Sequence, residues 1–85
     1  MLSLAIAQKE RSARRRVFKG AKIVFQERAA TIDCTVRDLS SGGARLVVAS
    51  VVGIPDLFEL AVPGDRIRQC QLIWRKSGQL GVSFL

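Results

Sequence analysis

A chain of 85 residues in which 48% of the side chains are hydrophobic has material for one small domain with a real core. Histidine is absent, which removes the commonest general acid–base group and metal ligand, and two cysteines are too few for a zinc site or a disulfide framework. The formal charge is +7, of which +6 falls in residues 9 to 22, "KERSARRRVFKGAK", where seven cations face Glu10 alone. The charge therefore belongs to an arm and not to the whole surface.

Ahead of the arm, "MLSLAIA" is apolar but only seven residues long, with no basic region before it. That is too short for a membrane span, and it reads as a tail or a short docking segment. Residues 1–20 are expected to form a flexible basic N-terminal arm and residues 21–85 the folded domain.

After the arm the hydrophobic period is two, interrupted by Gly, Pro, Ser and Asp. "AKIVFQE" opens the pattern with Ile23 and Phe25 on one face. "TIDCTVRDL" places Ile32, Cys34 and Val36 opposite Thr31, Asp33, Thr35 and Arg37. "ARLVVAS" and "DLFELAV" set Ala44, Leu46 and Val48, then Phe58, Leu60 and Val62, on their apolar faces. "DRIRQCQLIWRK" puts Cys70, Leu72 and Trp74 opposite Gln69, Gln71 and Arg75, and "QLGVSFL" groups Leu80, Val82 and Phe84. The connections "ERAA", "SSGG", "GIP", "PGD" and "KSG" carry turn chemistry and are short, so sequence neighbours are expected to pair antiparallel. Six strands with one apolar face each curl around that face. The fold class is all-β, a six-stranded antiparallel β-barrel. Cys34 and Cys70 fall inside the alternation and read as free thiols acting as small hydrophobes, compatible with a cytoplasmic setting.

Catalytic chemistry is missing from this pattern. No nucleophile elbow, P-loop or metal-ligand cluster occurs, and Glu27, Asp33, Asp38, Asp56, Glu59 and Asp65 are scattered. The reading is a binding module with no catalytic residue, no metal and no cofactor. Two features stand out beside the alternation. One is the arginine run, which taken alone is a solvated basic tail or a phosphate-tracking arm. The other is "RDLSSGGARL", which taken alone is a turn capped by Asp and Ser with glycines supplying unusual backbone angles.

Together the two features resemble a known family. Arg11-Ser12-Ala13-Arg14-Arg15 fits R-x-x-x-R, Asp38-x-Ser40-x-x-Gly43 fits D-x-S-x-x-G, and "LIWRKSGQLGVSF" is similar to the family's closing hairpin. The combination looks like the PilZ domain, over residues 10 to 85. The resemblance implies a split-barrel type of six-stranded fold that binds the bacterial second messenger cyclic di-GMP, with Arg11, Arg15, Asp38, Ser40 and Gly43 as ligand-binding residues. Arg14 and Arg16 are secondary candidates, because counting back from the first strand favours Arg16 and puts Ser12 at the first motif position. Glu10 stands where many members double the first arginine. Arginine pairs bidentately with phosphate or with guanine O6 and N7, while a carboxylate such as Asp38 accepts from guanine N–H groups. Ser40 adds a hydroxyl, and Gly43 is expected to let the backbone approach the ligand.

The implied function is a cyclic di-GMP receptor or adaptor that changes the surface shown to a protein partner. A PilZ-like barrel that serves as an adaptor without nucleotide is the alternative. A small nucleic-acid-binding barrel is a further one, disfavoured because the few aromatics are expected on the core face.

Overall fold

The computed structural model describes residues 14–85. Six strands form: β1 (Arg15–Phe25), β2 (Ala30–Leu39), β3 (Gly43–Val47), β4 (Leu57–Ala61), β5 (Arg68–Lys76) and β6 (Gln79–Phe84). They close into a barrel in the order β1-β2-β3-β6-β5-β4, with β4 returning to β1 and every pair antiparallel. Closure gives every strand a neighbour on both sides, which suits so small a domain.

The core is built from the alternation. Ile23, Val36, Leu46, Leu60, Cys70 and Leu80, one residue from each strand, are the largest fully buried side chains. Ala21, Cys34, Val48, Ile54, Phe58, Val62 and Val82 complete the buried set, and Val17, Phe25, Leu39 and Phe84 pack on it. Truncating a residue at the centre, such as Leu80→Ala, is expected to cost about 2–5 kcal/mol, because the barrel cannot collapse onto the void.

Two expectations are corrected here. The first strand begins at Arg15, not Ala21. Residues 15–20 of the expected arm therefore belong to the sheet, with Arg15 opposite Leu39, Arg16 opposite Asp38 and Lys19 opposite Val36. Arg15, Arg16, Phe18, Lys19 and Gly20 are all exposed. Alternation marks only a strand with one buried face, so this stretch carries almost no hydrophobic signal. The segment "MLSLAIA" lies outside the described residues.

The second correction concerns β3 and β4, which are neighbours in sequence but do not pair. The chain leaves the sheet after Val47 and passes the β5–β6 hairpin before returning as β4, while β3 pairs with β6. Val48 and Ile54 are buried along this crossover. Arg75 clamps it, with Nη1 donating to the Val51 carbonyl at 2.8 Å and Nη2 to the Ile54 carbonyl at 2.9 Å. Elsewhere the β1–β2 turn carries positive φ at Gln26, Glu27 and Arg28, and Arg28 Nε holds it to Glu59 at 3.2 Å. Among the described residues no helix is long and apolar enough to cross a membrane.

Both cysteines are free and buried, as their place in the alternation leads one to expect. Burial, reinforced by the charge of Asp33, pushes Cys34 from the ordinary 9.0 up to about 11. Burial likewise takes Cys70 to about 12, against the opposing charge of Arg68. A thiolate is the reactive form, so neither thiol should react with a chromogenic disulfide reagent near neutral pH until the protein is unfolded. Raised native values also fix the sign of the alkaline response. As pH rises above 9.0 the unfolded chain loses thiol protons that the native state keeps, so stability should fall towards pH 11 to 12. Thiol titration with and without denaturant, and melting temperature against pH, check the two expectations.

Candidate functional site

Three register shifts decide which side chains the barrel shows to solvent. Strand β2 directs Cys34 and Val36 inward, and its pairing with β3 then shifts between Val36 and Asp38. The extra residue is Arg37. Past it the alternation inverts, so Leu39 packs on the core and Asp38 joins the outer face. On β1 the pairing shifts between Arg16 and Lys19, which leaves Val17 against the core and Phe18 78% exposed. Arg37 covers one side of the Phe18 ring, its guanidinium 5.1 Å from the centroid. On β5 the shift lies between Leu72 and Trp74, with Ile73 as the extra residue.

These shifts line up one transverse row across five strands. Arg16 on β1 lies opposite Asp38 on β2, Asp38 opposite Arg45 on β3, Arg45 opposite Gly81 on β6, and Gly81 opposite Trp74 on β5. Trp74 lies across Gly81, where any Cβ would collide with the indole. It is 38% exposed instead of buried beside Cys70 and Leu72 as the alternation implied. Exposed Trp74 and Phe18 also overturn the expectation that the aromatics fall on the core face. Among the described residues these two can offer a ring to a ligand.

The row opens into a cleft of about 580 Å³, in the size range of small-molecule sites. Arg14, Asp38, the Ser40–Gly43 turn, Arg45 and Trp74 line it. The turn is closed by the Ser40 N–H donating to the Gly43 carbonyl at 2.9 Å, while Ser40 Oγ accepts from the Gly42 N–H at 3.3 Å. Gly43 is also needed for packing within the barrel. A Cβ there would run into the Val82 carbonyl oxygen, so this glycine permits β3 to approach β6. At Gly42, by contrast, the space beside the backbone is open.

Asp38 is the acidic centre of the cleft. Arg45 Nε donates to its Oδ2 at 2.5 Å, and Arg45 Nη1 donates to Gln79 Oε1 at 3.4 Å. The Arg45 hydrogen bond holds the Asp38 carboxyl below its ordinary 3.8. Burial opposes this, and the charges of Arg45, Arg14 and Arg16 support it. At neutral pH Asp38 is thus an acceptor-only carboxylate surrounded by guanidinium groups.

Arg14, Asp38, Ser40 and Gly43 therefore meet at the cleft, and Arg16 acts on Asp38 from the facing strand. Arg15 lies opposite Leu39 and is not among the residues lining the cleft. Arg11 lies outside the described residues. Sequence reading missed Arg45, Gln79 and Trp74 as site residues. The available clue was the glycine of "QLGVSF", a position without a side chain opposite a strand bearing a tryptophan. In a second hollow of about 450 Å³ beside the β1–β2 turn, Arg28 and Gln69 both donate to Glu59. No cluster of metal ligands occurs among the described residues.

Filling the space under the indole tests the row directly. Gly81→Ala should displace Trp74 from the sheet and shift its fluorescence maximum, with a stability loss of about 1–3 kcal/mol if the ring cannot resettle. An unchanged emission spectrum in a folded variant would show that Trp74 does not rest there.

The PilZ domain family model matches residues 8–85. A search of the curated proteins returns no match. Among solved structures, the crystal structure of the PilZ domain of CeSA from a cellulose synthesizing bacterium aligns with a TM-score of 0.67. That alignment covers 87% of this chain and 81% of the other at 15% identity, a likeness of fold. With a closed barrel of six antiparallel strands, a D-x-S-x-x-G turn beside it and a family match running to the last residue, the chain belongs to the PilZ domain family.

Proposed function

We propose that this domain is a receptor for cyclic di-GMP, acting by binding and not by catalysis. One observation carries the reading: an ionised carboxylate, a partly exposed indole and Arg14, just ahead of β1, share a single cleft on the outer face of the barrel. Each matches a part of the ligand. The Watson–Crick edge of guanine offers N–H donors to Asp38, and its Hoogsteen edge offers O6 and N7 to a guanidinium. Trp74 supplies a flat surface for a base, and Arg14 and Arg16 supply forked donors for phosphate. Gly42, with open space beside it, is where a ligand can come close to the backbone.

The ligand would bridge β1 to the β2–β3 turn and cover Trp74, replacing a basic surface by a neutralised one. That change is what a protein partner would read. A bacterial cytoplasmic setting goes with this messenger and is compatible with two free buried thiols.

A second reading, a barrel that meets its partner without nucleotide, draws on the Arg45 hydrogen bond, which already engages one oxygen of Asp38. A folded protein that ignores the dinucleotide yet captures a defined partner would select it.

Isothermal titration calorimetry at low salt decides between the two. Binding is expected, with Asp38→Ala and Arg14→Ala each weakening it by about 1–3 kcal/mol. Arg15→Ala should cost less than Arg14→Ala, because Arg15 does not line the cleft. No heat from the unmodified protein at tens of micromolar ligand would sink the receptor reading.

A further inference from the structure

We propose that Arg45, braced by Gln79, is a positioning residue that sets the direction in which the Asp38 carboxylate faces an incoming guanine edge. The proposal rests on the receptor reading and assigns a task to two residues outside both family motifs.

The geometry is specific. One guanidinium on β3 donates to β2 through Nε, at 2.5 Å from Asp38 Oδ2, and to β6 through Nη1, at 3.4 Å from Gln79 Oε1. Asp38 has a short side chain whose carboxylate turns easily about its last bond. Anchoring one oxygen fixes where the other points. The pair is shielded, with the Asp38 side chain 12% exposed and that of Arg45 29% exposed, so its hydrogen bond works in a weaker dielectric than water. Gln79 begins β6, directly after the Ser77-Gly78 turn, and its backbone pairs with Val47 and Lys76. It therefore offers the guanidinium a fixed second acceptor.

The other charges facing Asp38 come from Arg14, just ahead of β1, and Arg16 on β1, which favour its ionised form. They act at a distance and form no ion pair with it among the described residues, so they can hold charge but not direction. Arg45 does both. Lysine could not replace it, since a single ammonium has no planar fork to span Asp38 and Gln79 together.

The experiment combines cyclic di-GMP titrations across acid pH with a carbon-13 NMR titration of the Asp38 carboxyl in the free protein. It uses the unmodified chain, Arg45→Ala, Arg45→Lys and Gln79→Ala, each checked for fold by its amide spectrum. Arg45→Ala should bind about tenfold more weakly or worse, and its binding should fail at a higher pH as Asp38 protonates more readily. Arg45→Lys should keep the acid limit close to that of the unmodified protein but recover only part of the affinity. Gln79→Ala should lose about threefold in affinity with its acid limit unmoved, since it removes bracing and not charge.

Arg45→Ala binding within about twofold of the unmodified protein would overturn the proposal. So would weaker binding with no change in the acid limit, which marks a purely structural effect. Should the unmodified protein give no binding at all, the receptor reading fails. The free-protein titration then still judges the hold of Arg45: a raised Asp38 midpoint in Arg45→Ala supports it, and an unmoved one rejects it.

Discussion

A strand in a closed barrel has no freedom over which way its side chains face. The pleat sends alternate residues inward and outward, and closure forbids a strand from rotating to escape a poor match. Only an extra residue can change the parity part-way along. Here β1, β2 and β5 each take one, close to the same level of the barrel. Below that level the inward positions are held by the core set of Ile23, Val36, Leu46 and their neighbours. Above it, Asp38 and Trp74 are turned to the outer face, where they meet in one cleft. The site is a by-product of where alternation is broken, and Asp38, Arg45 and Trp74 stand on strands, which keeps their geometry tight.

Charge is distributed to the same effect. Asp33, Asp56, Glu59 and Asp65 each lie within ion-pair distance of a Lys or Arg away from the cleft. Such exposed pairs contribute little to stability, about 0–1 kcal/mol each, but they neutralise most of the barrel. Arg14, Arg15 and Arg16 make no ion pair among the described residues, so three unpaired positive charges stand together at the start of β1. Among the described residues Asp38 is the acid set beside them, and Arg45 gives it a direction as well as a partner. An anionic ligand with donor edges meets both signs of charge in one place.

Much of this was legible in the chain. Period-two patterning identified the strands, because each has a face that must be buried, and the central buried residue of every strand fell on the expected face. The turn at Ser40–Gly43 was legible from its residue types, and the family from its joint motifs. Illegible were the features that depend on a neighbour. Five of the first six residues of β1 are exposed, Val17 alone packing on the core, so the stretch shows no period. The role of Gly43 depends on how closely β6 passes it, and the facing of Trp74 depends on a bulge that no turn residue announces. Arg45 looked like any outward arginine until β2 and β6 were placed on either side of it.

The sequence by itself determined the strand count, the composition of the core, the basic character of the N-terminal region and the membership of its motifs in one family. These follow from local rules: side-chain period, turn chemistry and charge spacing act within a few residues of one another. Tertiary structure alone decided that β3 meets β6 and that β1 starts in the arginine run. It also decided that Arg14 and Arg16, and not Arg15, act on Asp38, and that a tryptophan completes the cleft. The physical reason is register. A single inserted residue reverses every facing beyond it, and whether a strand accepts that insertion depends on the hydrogen-bonding partner beside it, which no local pattern contains.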